Sequence, residues 1–540
     1  MIATHVVGRF MGAEMSDRSL FIRTFTGRSR RRHTLPVALL VVATVTISVL
    51  GTGAATAATH YFPDISEKSV AKARCGPGSL PERGLQGEVS AEDRNSGRST
   101  RGYRCNMTAL GGVRGAGGGI VSANYDHCSY TGSLFPGNNF VKQPGVQVVD
   151  VSNPHRPTVV GSLTDPAMRG GTWETLKVNR ERKLLAATAV PLLWGGGFFA
   201  VYDISDCEHP KLLNARGPGI ATPLPFTSHE GGFSPDGRTY WASGLSPGHL
   251  SAIDISNPAQ PRVIWQGLHS FLGHGFGISP DGNRMYLSNM AGVTVLDISA
   301  VQRRAPYPQV PHLAAYLWPD GQLNQHSIPI TYRNRPHILT ADEGGSGGVK
   351  IFDVTRVNRP KYVAQIKLEI NLPDNLDRNL RSSMGGSVFS SNPHYCAVDR
   401  PENPTALACS WESSGIRVFD IRDFSDIREI AYFNPPARTR ATVVEAPNSP
   451  HVLASIMGVP AVEFLSLGMS IANGKVQLND MIGPRTGMVV GGDTSTDWCL
   501  SPPEFRGNEI WATCADGGFY ALQLSPGTYT PPADQETTIG

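Results

Sequence analysis

The chain has 540 residues, of which 40% are hydrophobic and 17% are charged, and its formal net charge is +3. The hydrophobic share is sufficient for a sizeable core, whereas so small a charge, with no clustered basic face, argues against nucleic-acid binding. The 59 glycines and 41 prolines indicate a chain with many turns.

The first 58 residues have the three parts of an export signal. Residues 28–33 carry four arginines and a histidine, residues 35–50 are free of charge, and small residues with an A-x-A pattern follow at 55–57. We therefore predict a signal peptide over residues 1–58. An uncleaved membrane anchor is the alternative, because an apolar run of this length is just sufficient to cross a bilayer.

Residues 59–103 are polar and contain many turn formers, which predicts an arm across the surface. The segment 104–110 is strand-like and precedes the first of the repeated units described next. We predict that it joins the last of those units as an outer strand, which would close a ring.

One phrase recurs along the rest of the chain: a β-branched run, an acidic residue and an Asn/Asp-Pro turn. It is clearest at 146–163 (VQVVDVSNPHRPTVVGSL) and 251–264 (SAIDISNPAQPRVI). Each copy predicts two antiparallel strands around a tight turn. The anchor residues of the seven copies are Asp150, Asp203, Asp254, Asp297, Asp353, Asp420 and, in a worn copy, Gln523.

A second hairpin precedes the phrase in two units, where Asp-Gly separates apolar runs at 233–240 and 278–286. Two hairpins per unit make a four-stranded sheet, and units of roughly 40–50 residues are typical of propeller blades. The sequence therefore predicts an all-β fold, a seven-bladed β-propeller of four-stranded antiparallel blades over residues 104–526. The long spacing before the last anchor predicts an insertion at about 438–492, with an eighth, degenerate blade as the alternative. A flexible tail is expected at 527–540.

The repeated phrase, including VFDIRDFSDIREI at 418–430, resembles the LVIVD repeat of bacterial surface and secreted proteins. The segment 394–423 (HYCAVDRPENPTALACSWESSGIRVFDIRD) is similar to exported actinobacterial members of that family. The resemblance covers roughly residues 100–524. It implies a β-propeller that is secreted or held in the cell envelope, and it implies little about chemistry.

Eight cysteines all follow the predicted signal, and an even number in an exported chain indicates disulfide bonds. Two pairs flank turns of predicted hairpins, where Cα atoms come close enough for a bridge, and buried free thiols are the alternative. The predicted pairs are Cys396–Cys409 and Cys499–Cys514 across hairpins, then Cys75–Cys105 and Cys128–Cys207 for the remaining four.

A histidine or an acidic residue recurs 23 to 29 residues before each anchor residue, near the start of the predicted innermost strand. Side chains there would form a ring at one mouth of the channel, and they are His127, Glu174, His229, His274, His326, His394 and Asp497. Converging imidazoles bind copper or zinc, or act as acids and bases near neutral pH. Nearby carboxylates could support them, namely Glu230, Asp342 and Glu343. Alternatively, each histidine makes the same structural hydrogen bond in its own blade.

Two functions remain open from the sequence. The first is a non-enzymatic scaffold outside the cell that holds a protein, glycan or cell-wall partner, which is favoured by the lack of a P-loop, Rossmann or H-E-x-x-H motif. The second is a copper- or zinc-dependent enzyme, such as an oxidoreductase, with the histidine ring as its site. In architecture alone, a propeller with channel histidines resembles the copper-holding selenium-binding and methanethiol oxidase proteins. We expect a monomer with no membrane contact beyond the signal segment.

Overall fold

Seven antiparallel sheets stand in a ring, so the protein is a seven-bladed β-propeller, as predicted. In blades 1 to 6 the four strands follow one another in chain order from the channel to the rim, whereas the outermost strand of blade 7 comes from before blade 1. The computed structural model describes residues 57–63, 65, 67–134, 144–189, 197–217, 221–224, 226, 228–244, 248–270, 273–382, 391–436, 446–450 and 496–533.

The first three blades carry the clearest copies of the repeat. Blade 1 contains β4 (Ser122–Tyr125), β5 (Cys128–Thr131), β6 (Val146–Asp150) and β7 (Thr158–Leu163). Blade 2 contains β8 (Lys177–Asn179), β9 (Leu184–Thr188), β10 (Gly197–Asp203) and β11 (Lys211–Leu212), and β10 also pairs with β12 (Thr222–Leu224). Blade 3 contains β13 (Glu230–Phe233), β14 (Thr239–Ser243), β15 (His249–Asp254) and β16 (Arg262–Leu268).

The other four blades complete the ring. Blade 4 contains β17 (Phe276–Ile278), β18 (Arg284–Asn289), β19 (Gly292–Asp297) and β20 (His312–Leu317). Blade 5 contains β21 (Gly321–Tyr332), β22 (Arg335–Gly345), β23 (Gly348–Asp353) and β24 (Lys361–Ile366). Blade 6 contains β25 (Cys396–Val398), β26 (Ala406–Ser410), β27 (Ile416–Asp420) and β28 (Arg428–Asn434). Blade 7 contains β29 (Glu504–Arg506), β30 (Glu509–Cys514), β31 (Gly518–Leu524) and β3 (Met107–Val113).

The N-terminal arm lies along the outer edges of several blades. Its strand β1 (Ala58–Tyr61) runs parallel to β20 of blade 4, and β2 (Tyr103–Cys105) is antiparallel to β28 of blade 6. The next strand, β3, then pairs with β31 and closes the ring, as predicted, although it begins at Met107 and not at residue 104. The short helices are α1 (Ala91–Asn95), α2 (Pro166–Arg169), α3 (Ser299–Gln302), α4 (Leu376–Ser382) and the 3-10 turns Arg98–Arg101, Glu369–Asn371 and Pro373–Asn375.

The acidic residue of the repeated phrase ends the third strand in blades 1 to 6. In blade 1 the Asp150 carboxylate accepts the backbone N–H of Ser152 at 2.8 Å, and in blade 3 Asp254 accepts that of Ser256 at 3.0 Å. An aspartate that bonds the backbone two residues ahead stabilises a tight turn. The same bond recurs after Asp203, Asp297, Asp353 and Asp420. The repeat is therefore a strand followed by a capped turn.

The hydrophobic core lies between neighbouring blades. One cluster joins blades 5 and 6 through Ile351, Leu407 and Phe419, all of which are fully buried. Burial of each such side chain contributes roughly 1.5–3 kcal/mol, so the alternating apolar residues of the strands hold adjacent sheets face to face.

All four predicted disulfides are present, and they involve every cysteine of the chain. Two of them cross hairpins within blades 6 and 7 (Cys396–Cys409 and Cys499–Cys514). Cys75–Cys105 ties the arm to β2, and Cys128–Cys207 joins blade 1 to blade 2.

Most of the predicted signal and insertion lies outside the described residues. Of the predicted tail, Tyr529 donates a hydrogen bond to Asp399 at 3.0 Å. Across the part of the chain that the structure describes, none of the helices has the length and apolar character needed to span a membrane.

Candidate functional site

Three histidines occupy the same place in blades 3, 4 and 6, just before the innermost strand. Each donates its backbone N–H to the carbonyl of the serine at, or one residue before, the end of the second strand, at 2.6 to 2.9 Å. The pairs are His229 with Ser243, His274 with Ser288, and His394 with Ser410. This shared register brings the three imidazoles to one end of the channel.

Glu174 of blade 2 lies among these imidazoles and is 2% exposed. Its Oε2 is 3.4 Å from Nε2 of His229 and 3.5 Å from Nδ1 of His274. Its Oε1 is 3.3 Å from Nε2 of His394. One carboxylate thus contacts histidines from three other blades.

Two further carboxylates border the same cluster. Glu343 lies near the C-terminal end of β22. Its Oε1 is 3.5 Å from His394 Nε2, and its Oε2 is 3.9 Å from His274 Nε2. Glu230 has Oε2 3.6 Å from His274 Nδ1 and Oε1 3.6 Å from the ammonium of Lys177. Three buried carboxylates and three imidazoles therefore meet at this point.

The glycine that follows His274 makes room for this approach. A Cβ at Gly275 would collide with the carboxylate of Glu230 and with the carbonyl of Gln325. Glycine at position 275 therefore lets the Glu230 carboxylate reach the cluster beside His274.

Polar contacts outside the cluster orient its side chains. His394 Nδ1 is 3.0 Å from the carbonyl of Leu500, and His274 Nδ1 is 3.1 Å from the carbonyl of Gln325. Tyr395 donates to Glu174 Oε2 at 3.3 Å. The contact of His394 directs its other ring nitrogen at the carboxylates, which is the arrangement of imidazoles in metal sites.

The charges of the cluster are strongly coupled. Burial would lower the pKa of His274, but the carboxylates, with Glu174 first among them, raise it to about 9. Burial would also lower the pKa of His394, and its hydrogen bonds to Glu174 and Glu343 hold it well above the usual value. Burial would raise the pKa of Glu174, but His274 and His229 hold it well below its usual range. Without a metal, the site is a network of carboxylates and imidazolium groups.

His326 does not join this cluster. In β21, Asn324 pairs with Asp342 and His326 with Ala341, so Gln325 is an extra residue in a bulge. Gln325 takes the inward place, with Nε2 3.3 Å from His394 Nε2.

The bulge turns His326 into the space between blades 5 and 6. It packs on the ring of Tyr395 at 4.6 Å and accepts the N–H of Cys396. Burial, together with the charge of Lys177, lowers its pKa to about 3. His326 is therefore a neutral packing residue.

His127 also lies elsewhere, in the turn between β4 and β5, at the far end of the innermost strand of blade 1. Its imidazole is 3.2 Å from both Asp126 Oδ2 and Glu208 Oε1 and is half-exposed. A long connection between β5 and β6 explains the displacement, since a fixed count back from Asp150 then stops short of the start of β4.

Asp497 and Asp342 have structural partners of their own. Asp497 accepts the backbone N–H groups of Asp516 and Gly517 at 2.9 and 2.6 Å. Asp342 pairs with the buried ammonium of Lys350 at 2.5 Å and accepts from the indole of Trp318.

Of the predicted residues, those brought together are Glu174, His229, His274, His394, Glu230 and Glu343.

Gln325, Tyr395 and Lys177 border the cluster without having been predicted. Tyr395 directly follows His394, and Lys177 lies 4.8 Å from the centre of the Tyr395 ring. The sequence offered one indication of Gln325 and Tyr395, which is that each is adjacent to a predicted ligand. It offered no indication of Lys177.

The chain carries LVIVD repeats, because the family model of the LVIVD repeat matches residues 141–165 and 246–265. Both matches fall on the outer hairpins of blades 1 and 3. A search of the curated proteins finds no match.

Solved structures similar to this chain include two bacterial proteins. A functionally unknown protein from Desulfotomaculum acetoxidans is 11% identical with a TM-score of 0.40, over 58% of this chain and 84% of that one. A protein from Lactobacillus plantarum is 12% identical with a TM-score of 0.41, over 58% of this chain and 87% of that one.

Proposed function

We propose that this LVIVD-repeat propeller is an extracytoplasmic metal-binding protein, which holds a divalent transition-metal ion where the innermost strands begin. The observation that carries the proposal is the convergence of Glu174, His229 and His274, whose ligand atoms all lie within 4.8 Å of one another. Imidazole nitrogen and carboxylate oxygen are the ligands of zinc sites, and imidazole also suits copper.

The charges of the site favour a cation. Glu174, Glu230 and Glu343 are 2–3% exposed, and the neighbouring permanent cation among their described contacts is Lys177. Three carboxylates and one ammonium leave two negative charges, which protonated imidazoles balance in the metal-free protein. A divalent ion would supply the same charge and release those protons, as metal binding to histidine does.

The disulfides support a location outside the cytoplasm. Four bridges that involve all eight cysteines fit an oxidising compartment. Together with the export signal predicted at residues 1–58, they favour a secreted or envelope protein. The propeller would then serve as a rigid scaffold that presents its metal-bearing face to a protein, glycan or cell-wall partner, and we assign no reaction to it.

The test is the metal content of the protein purified from the extracytoplasmic fraction without chelators. Mass spectrometry should find at least about one equivalent of zinc or copper, and the His229→Ala/His274→Ala double variant should lose it. His209→Ala is the matched control, because this imidazole is 76% exposed and lies outside the cluster. A wild-type protein that carries no metal and takes up neither added zinc nor added copper would contradict the proposal.

A further inference from the structure

Building on the proposed function, we infer that the site has two adjacent cation positions bridged by the carboxylate of Glu174. The two oxygens of Glu174 face different groups of ligands. Oε2 is directed at His229 and His274, whereas Oε1 is directed at His394. A carboxylate in this arrangement can bind one ion with each oxygen, as in two-metal centres whose ions lie about 3.5–4 Å apart.

The first position is formed by Glu174 Oε2, His229 Nε2, His274 Nδ1 and Glu230 Oε2. Glu174 Oε2 lies 3.4 Å from His229 Nε2 and 3.5 Å from His274 Nδ1, and Glu230 Oε2 lies 3.6 Å from His274 Nδ1. The ligand atoms of Glu174, His229 and His274 all lie within 4.8 Å of one another. Metal–ligand bonds of about 2.0–2.2 Å place the ligand atoms of one ion roughly 3–3.5 Å apart, so the side chains would draw closer together when an ion binds. Coordination by His274 Nδ1 replaces its present contact with the Gln325 carbonyl.

The second position is formed by Glu174 Oε1, His394 Nε2 and Glu343 Oε1. His394 Nε2 lies 3.3 Å from the first carboxylate and 3.5 Å from the second. The contact of His394 Nδ1 with the Leu500 carbonyl directs Nε2 at these oxygens. This is the orientation that metal-ligating histidines adopt in proteins.

Buried acceptors at both positions point to missing cations. Glu230 Oε2, at the first position, has no hydrogen-bond partner among the described residues, and neither has Glu343 Oε2, the other oxygen of the carboxylate whose Oε1 faces the second position. Both side chains are 97–98% buried. A buried carboxylate oxygen without a donor is costly, and a bound cation removes that cost.

Two divalent ions exceed the negative charge of Glu174, Glu230 and Glu343, and Lys177 adds to the excess. The filled centre should therefore also attract a small anion. The excess positive charge of a two-ion centre distinguishes it from the one-ion site of the proposed function, in which a single divalent ion balances the net negative charge.

The experiment is a titration of the chelator-stripped full chain with Zn(II), followed by gel filtration and metal analysis. Wild-type protein should retain two equivalents, and His394→Ala and His229→Ala should each retain one. Glu343→Gln tests the second position from a different blade in case His394→Ala does not fold. His209→Ala should retain two.

The outcomes separate the inference from the proposed function. One equivalent in the wild-type protein overturns the second position and leaves the metal-binding function standing. No retained metal overturns both. Two equivalents that persist in both His394→Ala and Glu343→Gln overturn the assignment of the second position.

Copper tests the bridge itself. With two Cu(II) ions loaded, coupling through Glu174 should reduce the integrated electron paramagnetic resonance signal well below two spins per chain. His394→Ala with one Cu(II) should give one full spin. Two independent spins in the loaded wild-type protein would overturn the bridging role of Glu174.

Discussion

Oε1 of Glu174 on blade 2 lies 3.3 Å from Nε2 of His394 on blade 6, so the two side chains meet across the channel and not between neighbouring blades. Because Glu174 also contacts His229 and His274 of blades 3 and 4, the cluster connects parts of the ring that no sheet connects. Its polar groups are thus expected to matter for stability as well as for binding.

Removal of the central carboxylate should destabilise the metal-free protein. Glu174→Gln removes the carboxylate that most favours the protonated forms of His274 and His394, and breaking a buried ion pair in this way costs about 3–5 kcal/mol. Denaturant unfolding in the presence of a chelator measures the loss. Glu208→Gln is the control, since its partner His127 is half-exposed and the pair contributes about 1 kcal/mol or less. Equal effects of the two variants would contradict the central role of Glu174.

The stability of the metal-free protein should fall as the pH rises from neutrality. The pKa of His274 is raised to about 9 in the folded protein, against about 6.5 in an unfolded chain. Its protonation therefore stabilises the fold fully below about pH 6.5, and this contribution of roughly 3 kcal/mol is lost as the pH rises through about 9. Unfolding free energies measured from pH 6 to 10 with chelator should show the slope, and His274→Gln should flatten it. An unchanged slope in that variant would assign the effect to other groups.

The fold was largely predictable from the sequence because each blade repeats a local rule. Asp254 and its counterparts cap the same turn in blades 1 to 6, so the phrase is visible without knowledge of the ring. The site was predictable only in part, since it depends on strand register and on contacts across the channel. One extra residue in β21 places Gln325, and not His326, at the inward-facing position. A long connection between β5 and β6 places His127 in a turn and not before the start of β4. Neither can be read from a count along the chain.

The ion pair between the arm and blade 6 should contribute more to the free energy of unfolding than an exposed ion pair does. Glu82 of the arm pairs with the guanidinium of Arg417, which is fully buried between Glu82 and Glu429. Glu82→Gln should therefore lower the unfolding free energy by about 3 kcal/mol and speed proteolysis within residues 59–103. Lys72→Ala, which breaks the more exposed pair with Glu369, should change it by about 1 kcal/mol or less. Similar proteolysis of both variants would argue against Arg417 as the anchor of the arm.

The disulfide between blades 1 and 2 should stabilise the protein more than the one inside blade 6. Cys128 and Cys207 are 79 residues apart, whereas Cys396 and Cys409 are 13 apart. Because a cross-link restricts the unfolded chain more when its loop is longer, the double alanine variants should differ by about 1.6 kcal/mol. Thermal unfolding of the two variants under the same conditions measures the difference. A larger loss for the shorter loop would show that native contacts near His394 outweigh chain entropy.

The hydroxyl of Tyr395 should tune metal affinity without being a ligand. It donates to Glu174 Oε2, and its ring stays packed on His326 when the hydroxyl is removed. Tyr395→Phe should thus weaken zinc binding about 10- to 100-fold, as loss of such outer contacts does, with little change in structure. Competition with a chelator of known affinity measures the change. Tyr130→Phe is the matched control, because that buried hydroxyl bonds the Cys207 carbonyl far from the cluster. If both variants bind zinc as tightly as the wild type, Glu174 is oriented by the histidines alone.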